Sequence, residues 1–262
     1  MDSKADPVEN VEGALSKGLS GLTFTEHFDT HPDDWPGCVY DDESYTDTIE
    51  SLRARYGQRI FIGKGIEVCY QPSRMDFLLD FLHSHHFDMV LLSVHYFGEH
   101  ALHVRNVWDN VSVEEGTERY LRYVAQAVRH CAAIHRDHGR VFDVLGHLDL
   151  VKRYTHKWFG ESAVSQFSTM TADIAAACVE ADLIPEINTS SLRRGLPDPM
   201  PALDVVREYA RRGGTMMSLG SDAHVSSDVG AGFDTAVSML HDAGIRHTAW
   251  FRQRKRIAVP IE

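Results

Sequence analysis

Side chains that can bind metal ions stand at the ends of short apolar segments throughout this 262-residue sequence. The residues in these positions are His27, Glu67, His95, His147, Asn188 and Asp222, and His224 follows shortly after. One histidine at the end of a strand is an ordinary polar residue, but repetition over successive segments indicates a shared site. Imidazole and carboxylate ligands together suit zinc, manganese or iron. The pattern therefore predicts a divalent-metal centre, in which a carboxylate such as Glu67 can bridge two ions.

The apolar segments alternate with stretches of helical periodicity, which predicts repeated strand–helix units. Strands are predicted at 19–24, 59–67, 87–95, 141–147, 183–188 and 215–222. Helices are predicted near 43–55, 73–83, 113–135, 163–180, 201–212 and 227–241, after a first helix that begins at Asp6-Pro7. Such alternation is typical of parallel sheets, whose active sites gather at the carboxyl ends of the strands. No linker interrupts it, so we expect one domain over 1–262.

The charge balance argues against several classes of partner. The sequence has 26 Lys and Arg against 38 Asp and Glu, a net charge of −12, whereas a nucleic-acid or anionic-membrane surface needs a basic face. The four cysteines are scattered, which indicates neither a zinc knuckle nor a disulfide framework. No apolar run reaches the ~18 residues of a membrane span, and the charged start is unlike a signal peptide. We expect a soluble, cytoplasmic protein without nucleic-acid or membrane partners, and the sequence leaves its oligomeric state open.

Two segments that follow predicted strands carry arginines, and these suggest the substrate. Arg153 follows the strand that ends at His147, and Arg193 follows the strand that ends at Asn188. A guanidinium is a planar fork that matches phosphate oxygens in pairs. These two segments, which include Asn188, Arg153, Arg193 and Arg194, are therefore predicted to bind the phosphate of a small phosphorylated substrate. The alternative is that these arginines pair with surface carboxylates of an acidic protein.

Taken in order, the same residues resemble the PHP (polymerase and histidinol phosphatase) superfamily. The matching stretches are Thr25-Glu26-His27, Gly65-Ile66-Glu67-Val68, Ser93-Val94-His95, Gly146-His147-Leu148-Asp149, Glu186-Ile187-Asn188-Thr189-Ser190 and Ser221-Asp222-Ala223-His224. They extend over nearly the whole chain, and the stretch from Asn188 to Arg193 is similar to the histidinol-phosphatase branch.

The resemblance implies a distorted, TIM-like barrel of seven βα units with up to three metal ions at its carboxyl rim. One ion would be held by Glu67, His95 and His147. Another would be held by His27 and His224, and Glu67 with Asp222 would reach the remaining ion. The same resemblance places phosphate-holding arginines at the positions of Arg153 and Arg193.

The sequence departs from the family pattern at its start. The family opens with a strand that ends in His-x-His, followed by an acidic or histidine ligand, and this sequence has no such strand. Asp2 falls where the later ligand would be. We therefore expect an N-terminally incomplete barrel with two ions, either because Met1 is an internal methionine or because the chain is truncated. Without that strand, neighbouring backbone groups would be unpaired.

These observations and the resemblance predict a metal-dependent phosphomonoester hydrolase that acts on histidinol phosphate in histidine biosynthesis. Glu67 would act through the ions, while Asp222 and His224 would bind metal and could also relay a proton. Two alternatives remain open on the sequence. One is a PHP phosphoesterase for another small phosphate ester, and the other is a metal-binding remnant without turnover.

Overall fold

Helices and strands alternate through the computed structural model, which describes residue 3 and residues 5–31 and 40–261. The strands are β1 (Gly21–Phe28), β2 (Phe61–Cys69), β3 (Met89–Ser93), β4 (Tyr96–Phe97), β5 (His100–Ala101), β6 (Val144–Leu145), β7 (Ile184–Asn188), β8 (Met216–Gly220), β9 (His247–Arg252) and β10 (Lys255–Pro260). The helices are α1 (Pro7–Ser16), α2 (Asp42–Tyr56), α3 (Met75–Ser84), α4 (Val113–His138), α5 (Val151–Phe159), α6 (Ser168–Glu180), α7 (Leu203–Arg211) and α8 (Phe233–Asp242).

The strands form one curled sheet in the order β1-β2-β3-β6-β7-β8-β9-β10, and β4 pairs separately with β5. Neighbours from β1 to β9 run parallel, while β10 returns antiparallel to β9. The predicted α/β fold with a parallel sheet is confirmed, and the curled sheet is a half-barrel. Because the strands are parallel, their carboxyl ends meet at one rim, where the predicted site residues lie.

The interior strands and the first edge strand of the sheet are covered differently. All five residues of β3 and of β7 are buried, whereas Gly21–Thr25 of β1 are only half-buried. On its outer edge β1 has no partner among the strands that the structure describes. A cavity of about 570 Å³ lies beside this edge, with residues of β1, β8 and β9 in its lining.

Trp250 of β9 covers part of this opening. Its ring lies 5.7 Å from that of Phe61 between centroids. A Cβ atom at Gly21 would come within 2.4 Å of the same indole ring, so the close approach requires glycine at this position. The apolar side of β9 thus shields the amino-terminal end of β1.

The predicted first helix forms, and its capping residues begin and end it. Asp6 caps α1 by accepting a hydrogen bond from the backbone N–H of Val8 at 2.8 Å, and Pro7 occupies the first helical position. Gly18 follows the helix with a φ of 72°, a conformation that favours glycine. None of the described helices combines the length and apolar character that crossing a membrane requires.

Candidate metal centre

Glu67 is the central acceptor at the carboxyl rim of the sheet. Its Oε1 lies 3.1 Å from Nε2 of His95 and 3.2 Å from Nε2 of His147. Its Oε2 lies 3.9 Å from Nδ1 of His27. Four residues from β1, β2 and the segments after β3 and β6 therefore converge, as the sequence predicts. We call Glu67, His27, His95 and His147 the Glu67 cluster.

Sheet register explains this convergence. His27 of β1 is directly paired with Glu67 of β2, so the two side chains extend from the same side of neighbouring strands. His95 lies two residues beyond β3, and His147 two residues beyond β6. The rings of His95 and His147 lie 5.4 Å apart between centroids.

The backbone is unusual at two of the site residues. His147 has a φ of 22° and Asp222 a φ of 49°, in the left-handed region that non-glycine residues rarely adopt. The N–H of His147 donates to Oε2 of Glu186 at 3.0 Å, which fixes that turn. Strained positions of this kind concentrate at functional sites.

Glu186 depends on a close approach to the neighbouring strand. Its carboxylate is buried and also accepts a hydrogen bond from the Asn188 amide at 3.1 Å. A Cβ atom at Gly220 would lie 1.7 Å from Oε1 of Glu186. Glycine at position 220 therefore makes the room in which this carboxylate supports His147.

Asp222 and His224 line a second cavity, of about 760 Å³, which the four residues of the Glu67 cluster also line. Nδ1 of His224 is 3.5 Å from Oδ1 of Asp222. Oδ2 of Asp222 accepts hydrogen bonds from the Arg153 guanidinium at 2.5 Å and from the Ser190 hydroxyl at 3.0 Å. We call Asp222, His224 and Arg153 the Asp222 side of the site.

Mutual electrostatic interactions dominate the titration of the Glu67 cluster. The Glu67 carboxylate raises the pKa of His27 to about 9. Burial disfavours a charged His95, but the nearby Asp29 carboxylate holds the pKa of His95 well above its ordinary range. Burial also disfavours a charged Glu67, yet the His27 charge and hydrogen bonds from His147 and His95 keep the pKa of Glu67 low.

On the Asp222 side, the Arg153 guanidinium stabilises the ionised carboxylate. Burial opposes ionisation of Asp222, but the Arg153 guanidinium outweighs it and lowers the pKa of Asp222 to about 2. Both sides of the cavity thus hold carboxylates that stay ionised because positive charge lies against them.

The residues present fit divalent cations. One possible ligand atom each from His27, Glu67 and His95 lie within 4.8 Å of one another. These are imidazole and carboxylate donors, which suit zinc, manganese and iron. The partly buried carboxylates also require positive charge, which an ion can supply in place of protonated histidines.

Three of the predicted phosphate-binding residues occupy different positions. Arg153, in the first turn of α5, lines the 760 Å³ cavity with a side chain 12% exposed. Arg193 donates to the carbonyl oxygens of Ser221 at 2.7 Å and Asp222 at 3.2 Å, and pairs with Asp228 at 3.0 Å. Asn188 is buried, and its Oδ1 accepts a hydrogen bond from the Ser190 backbone N–H at 3.1 Å. The structure therefore brings Arg153 to the cavity and gives the other two supporting contacts.

Three residues of the site do not follow from the strand-end pattern. Asp29 lies beside His27 and His95, Glu186 holds the His147 turn, and Ser190 donates to Asp222. Spacing gives a signal for two of them, since Asp29 is two residues after His27 and Glu186 two residues before Asn188. The remaining predicted metal ligand, Asp2, lies outside the described residues.

Comparison with known proteins identifies a matching protein family. A family model described as "PHP domain" matches residues 1–190. A protein of Deinococcus radiodurans named "Probable histidinol-phosphatase" is 30% identical over 254 residues, which cover 95% of this chain and 91% of that protein. A "Histidinol-phosphatase" of Lactococcus lactis is 25% identical, with 97% of this chain and 91% of that protein covered.

A solved structure has the same architecture. It is the crystal structure of histidinol phosphate phosphatase from Lactococcus lactis, complexed with zinc, L-histidinol and phosphate. The TM-score is 0.81 at 25% sequence identity, and the superposition covers 98% of this chain and 94% of that one. The similarity therefore extends over the whole half-barrel, including the rim that carries the predicted ligands.

Proposed function

Because the chain belongs to the PHP domain family, we propose that it hydrolyses L-histidinol phosphate to L-histidinol and inorganic phosphate with divalent metal ions. The relatives named histidinol-phosphatase and the zinc, histidinol and phosphate of the similar crystal structure support this substrate. A cytoplasmic location, and a partner set limited to the small substrate, remain part of the same proposal.

One observation carries the proposal. Glu67 has a histidine nitrogen at 3.1 Å and another at 3.2 Å from the same oxygen, beside a cavity that a guanidinium also lines. Imidazoles, carboxylates and one arginine in a cavity suit the binding of cations together with a phosphate ester.

We assign the ligands by position. Glu67, His95 and His147 would hold one ion, and His27 with His224 another, while Glu67 and Asp222 would reach a third. Ions in these places supply Lewis-acid chemistry, lowering the pKa of water and offsetting the charge on phosphoryl oxygens. Zinc is the metal named for the similar crystal structure, and manganese or iron suits the same donors.

The remaining steps use side chains of the chain itself. Arg153 would bind two phosphoryl oxygens and orient the ester for in-line attack. Its present partner, Asp222, would then become available to a cation. The alternative role of His224, whose side chain is 36% exposed at the cavity, is to hold or transfer a proton at the ester oxygen that leaves in place of binding an ion.

The test is a substrate panel assayed on the whole chain with Zn²⁺ or Mn²⁺. Release of phosphate from L-histidinol phosphate is compared with release from a nucleoside monophosphate and a sugar phosphate, using Glu67→Gln as the inactive reference. Preference for histidinol phosphate supports the proposal. A wide preference for another ester would identify that ester as the substrate instead. Bound metal without turnover on any ester would indicate a non-catalytic protein.

A further inference from the structure

Asp29 lies between two histidines of the Glu67 cluster that come from different parts of the sheet. Its Oδ2 is 3.5 Å from Nδ1 of His27, and its Oδ1 is 3.7 Å from Nδ1 of His95. His27 belongs to β1, and His95 follows β3, with β2 between those strands. The side chain of Asp29 is 15% exposed, so this carboxylate faces the site from within the protein.

The ring of His95 has a carboxylate at each nitrogen. Nε2 is 3.1 Å from Oε1 of Glu67, and Nδ1 faces Asp29. A neutral imidazole has one N–H and one lone pair, and the nitrogen that keeps the proton is set by its neighbour. A proton held at Nδ1 by Asp29 leaves the Nε2 lone pair directed towards Glu67, where an ion is expected.

Cys69 also lies close to His95. Ligand atoms of Asp29, Cys69 and His95 lie within 4.8 Å of one another. A thiol is a weak hydrogen-bonding partner, whereas an ionised carboxylate attracts an N–H strongly. Asp29 is therefore the group that determines the orientation of the His95 ring.

We propose that Asp29 is a positioning residue of the metal centre, which retains the Nδ1 proton of His95, directs Nε2 to the ion and ties His27 to the same carboxylate. The inference rests on the proposed function, because the ion belongs to the site proposed there. Outer carboxylates that orient histidine ligands commonly contribute 10- to 100-fold to metal affinity.

The experiment measures metal affinity without reference to turnover. Zn²⁺ affinity is determined by competition with a chromophoric chelator, and Co²⁺ substitution reports ligand geometry through its visible absorption. The variants are Asp29→Ala, Asp29→Asn and His95→Ala. Glu99→Gln is the matched control, because Glu99 also carries a negative charge nearby but pairs with His31 at 3.5 Å.

Asp29→Ala is expected to bind Zn²⁺ about 10- to 100-fold more weakly than the wild type and to alter the Co²⁺ spectrum. Asp29→Asn recovers part of the affinity, because its amide oxygen can still accept the N–H, and Glu99→Gln stays near the wild type. His95→Ala, which removes a ligand, binds more weakly still.

Two results would overturn the inference while leaving the proposed function intact. Asp29→Ala binding within twofold of the wild type would show that the carboxylate does not orient the ligands. Loss equal to that of His95→Ala, with no recovery in Asp29→Asn, would make Asp29 a ligand itself. A wild-type chain that binds neither Zn²⁺ nor Co²⁺ would overturn both the inference and the proposed function.

Discussion

The Glu67 cluster and the Asp222 side face each other across one cavity but are organised differently. Glu67 is 12% exposed, and its histidine partners His95 and His147 are 17% and 6% exposed. His27 of the Glu67 cluster and His224 of the Asp222 side are both 36% exposed, but Asp222 is held by an arginine rather than by histidines. The first group is arranged by side chains expected to bind metal, whereas the second is arranged by a residue expected to bind substrate.

This difference follows from the partners of the two carboxylates. In the Glu67 cluster the carboxylate oxygens lie against histidine nitrogens, whereas Oδ2 of Asp222 is occupied by the Arg153 guanidinium. The Glu67 cluster can therefore bind a first ion with little rearrangement. The Asp222 side has to exchange the Arg153 ion pair for a cation and a phosphate.

The largest expected effect is that of Glu67→Gln. The amide keeps the size of the side chain but removes the charge that lies against three histidines. We expect loss of tightly bound metal and a decrease of roughly a thousandfold in kcat/KM, equivalent to about 4 kcal/mol of Lewis-acid stabilisation. Metal analysis of the purified variant and phosphate release measure both. Glu180→Gln, an exposed control at the end of α6, retains activity, and a Glu67→Gln variant that keeps its metal would refute a central role.

His95→Ala and His224→Ala separate the two regions directly. We expect His95→Ala to weaken metal binding by more than about 100-fold, the upper range for residues that only support ligands. His224→Ala should retain an ion in the Glu67 cluster and lose turnover through kcat. Metal stoichiometry by elemental analysis distinguishes them. Equal loss of all ions in both variants would mean that the cavity fills as one cooperative unit, contrary to the comparison.

Arg153→Ala should weaken substrate binding without weakening metal binding. Loss of charged hydrogen bonds worth about 1.5–3 kcal/mol corresponds to a decrease of roughly 10- to 150-fold in kcat/KM, mainly through KM. Asp222 loses its arginine partner, so metal affinity stays the same or increases. Arg193→Ala, whose guanidinium holds the 221–222 turn and Asp228, is the matched control and should change kcat/KM less than tenfold. The reverse order would assign phosphate binding to Arg193.

Much of the Glu67 cluster is predictable from sequence, because parallel strands bring their carboxyl ends together. The positions of three apolar segments were enough to predict that Glu67, His95 and His147 lie together. The position of Asp29 in the site was harder to predict from the sequence. The first strand is predicted to end at 24, whereas β1 continues to Phe28. That extension gives His27 its strand register and places Asp29 immediately beyond the strand.

Contacts between distant segments could not be predicted in this way. Arg153 and Asp222 are 69 positions apart, and Arg254 and Asp143 are 111 apart. Arg254 lies in a basic run between β9 and β10, and pairs at 2.6 Å with an Asp143 side chain that is 0% exposed. Periodicity identifies elements and faces, but the partner of a charged side chain depends on how helices and strands pack.

The smallest expected effect concerns pH and distinguishes the two regions by their charge. In metal-free protein, the pKa of His27 is raised to about 9 from an ordinary 6.5. The folded state therefore binds this proton more tightly than the unfolded chain does, and the resulting stabilisation is complete below pH 6.5 and lost as pH rises towards 9.

Asp222 behaves in the opposite direction, because its pKa falls to about 2 from 3.8. Its contribution is present above pH 3.8 and is lost as pH falls towards 2.

We expect the melting temperature of the EDTA-treated chain to fall between pH 6.5 and 8.5 more steeply than that of His27→Gln. With Zn²⁺ bound, His27 is an unprotonated ligand, so the stabilisation by metal should increase over the same interval. Acid unfolding below pH 4 should be the same in His27→Gln and wild type, since Asp222 and Arg153 are unchanged. A variant with the wild-type alkaline slope would show that the Glu67 cluster does not hold its histidines protonated in the absence of metal, and would remove the electrostatic basis of the comparison.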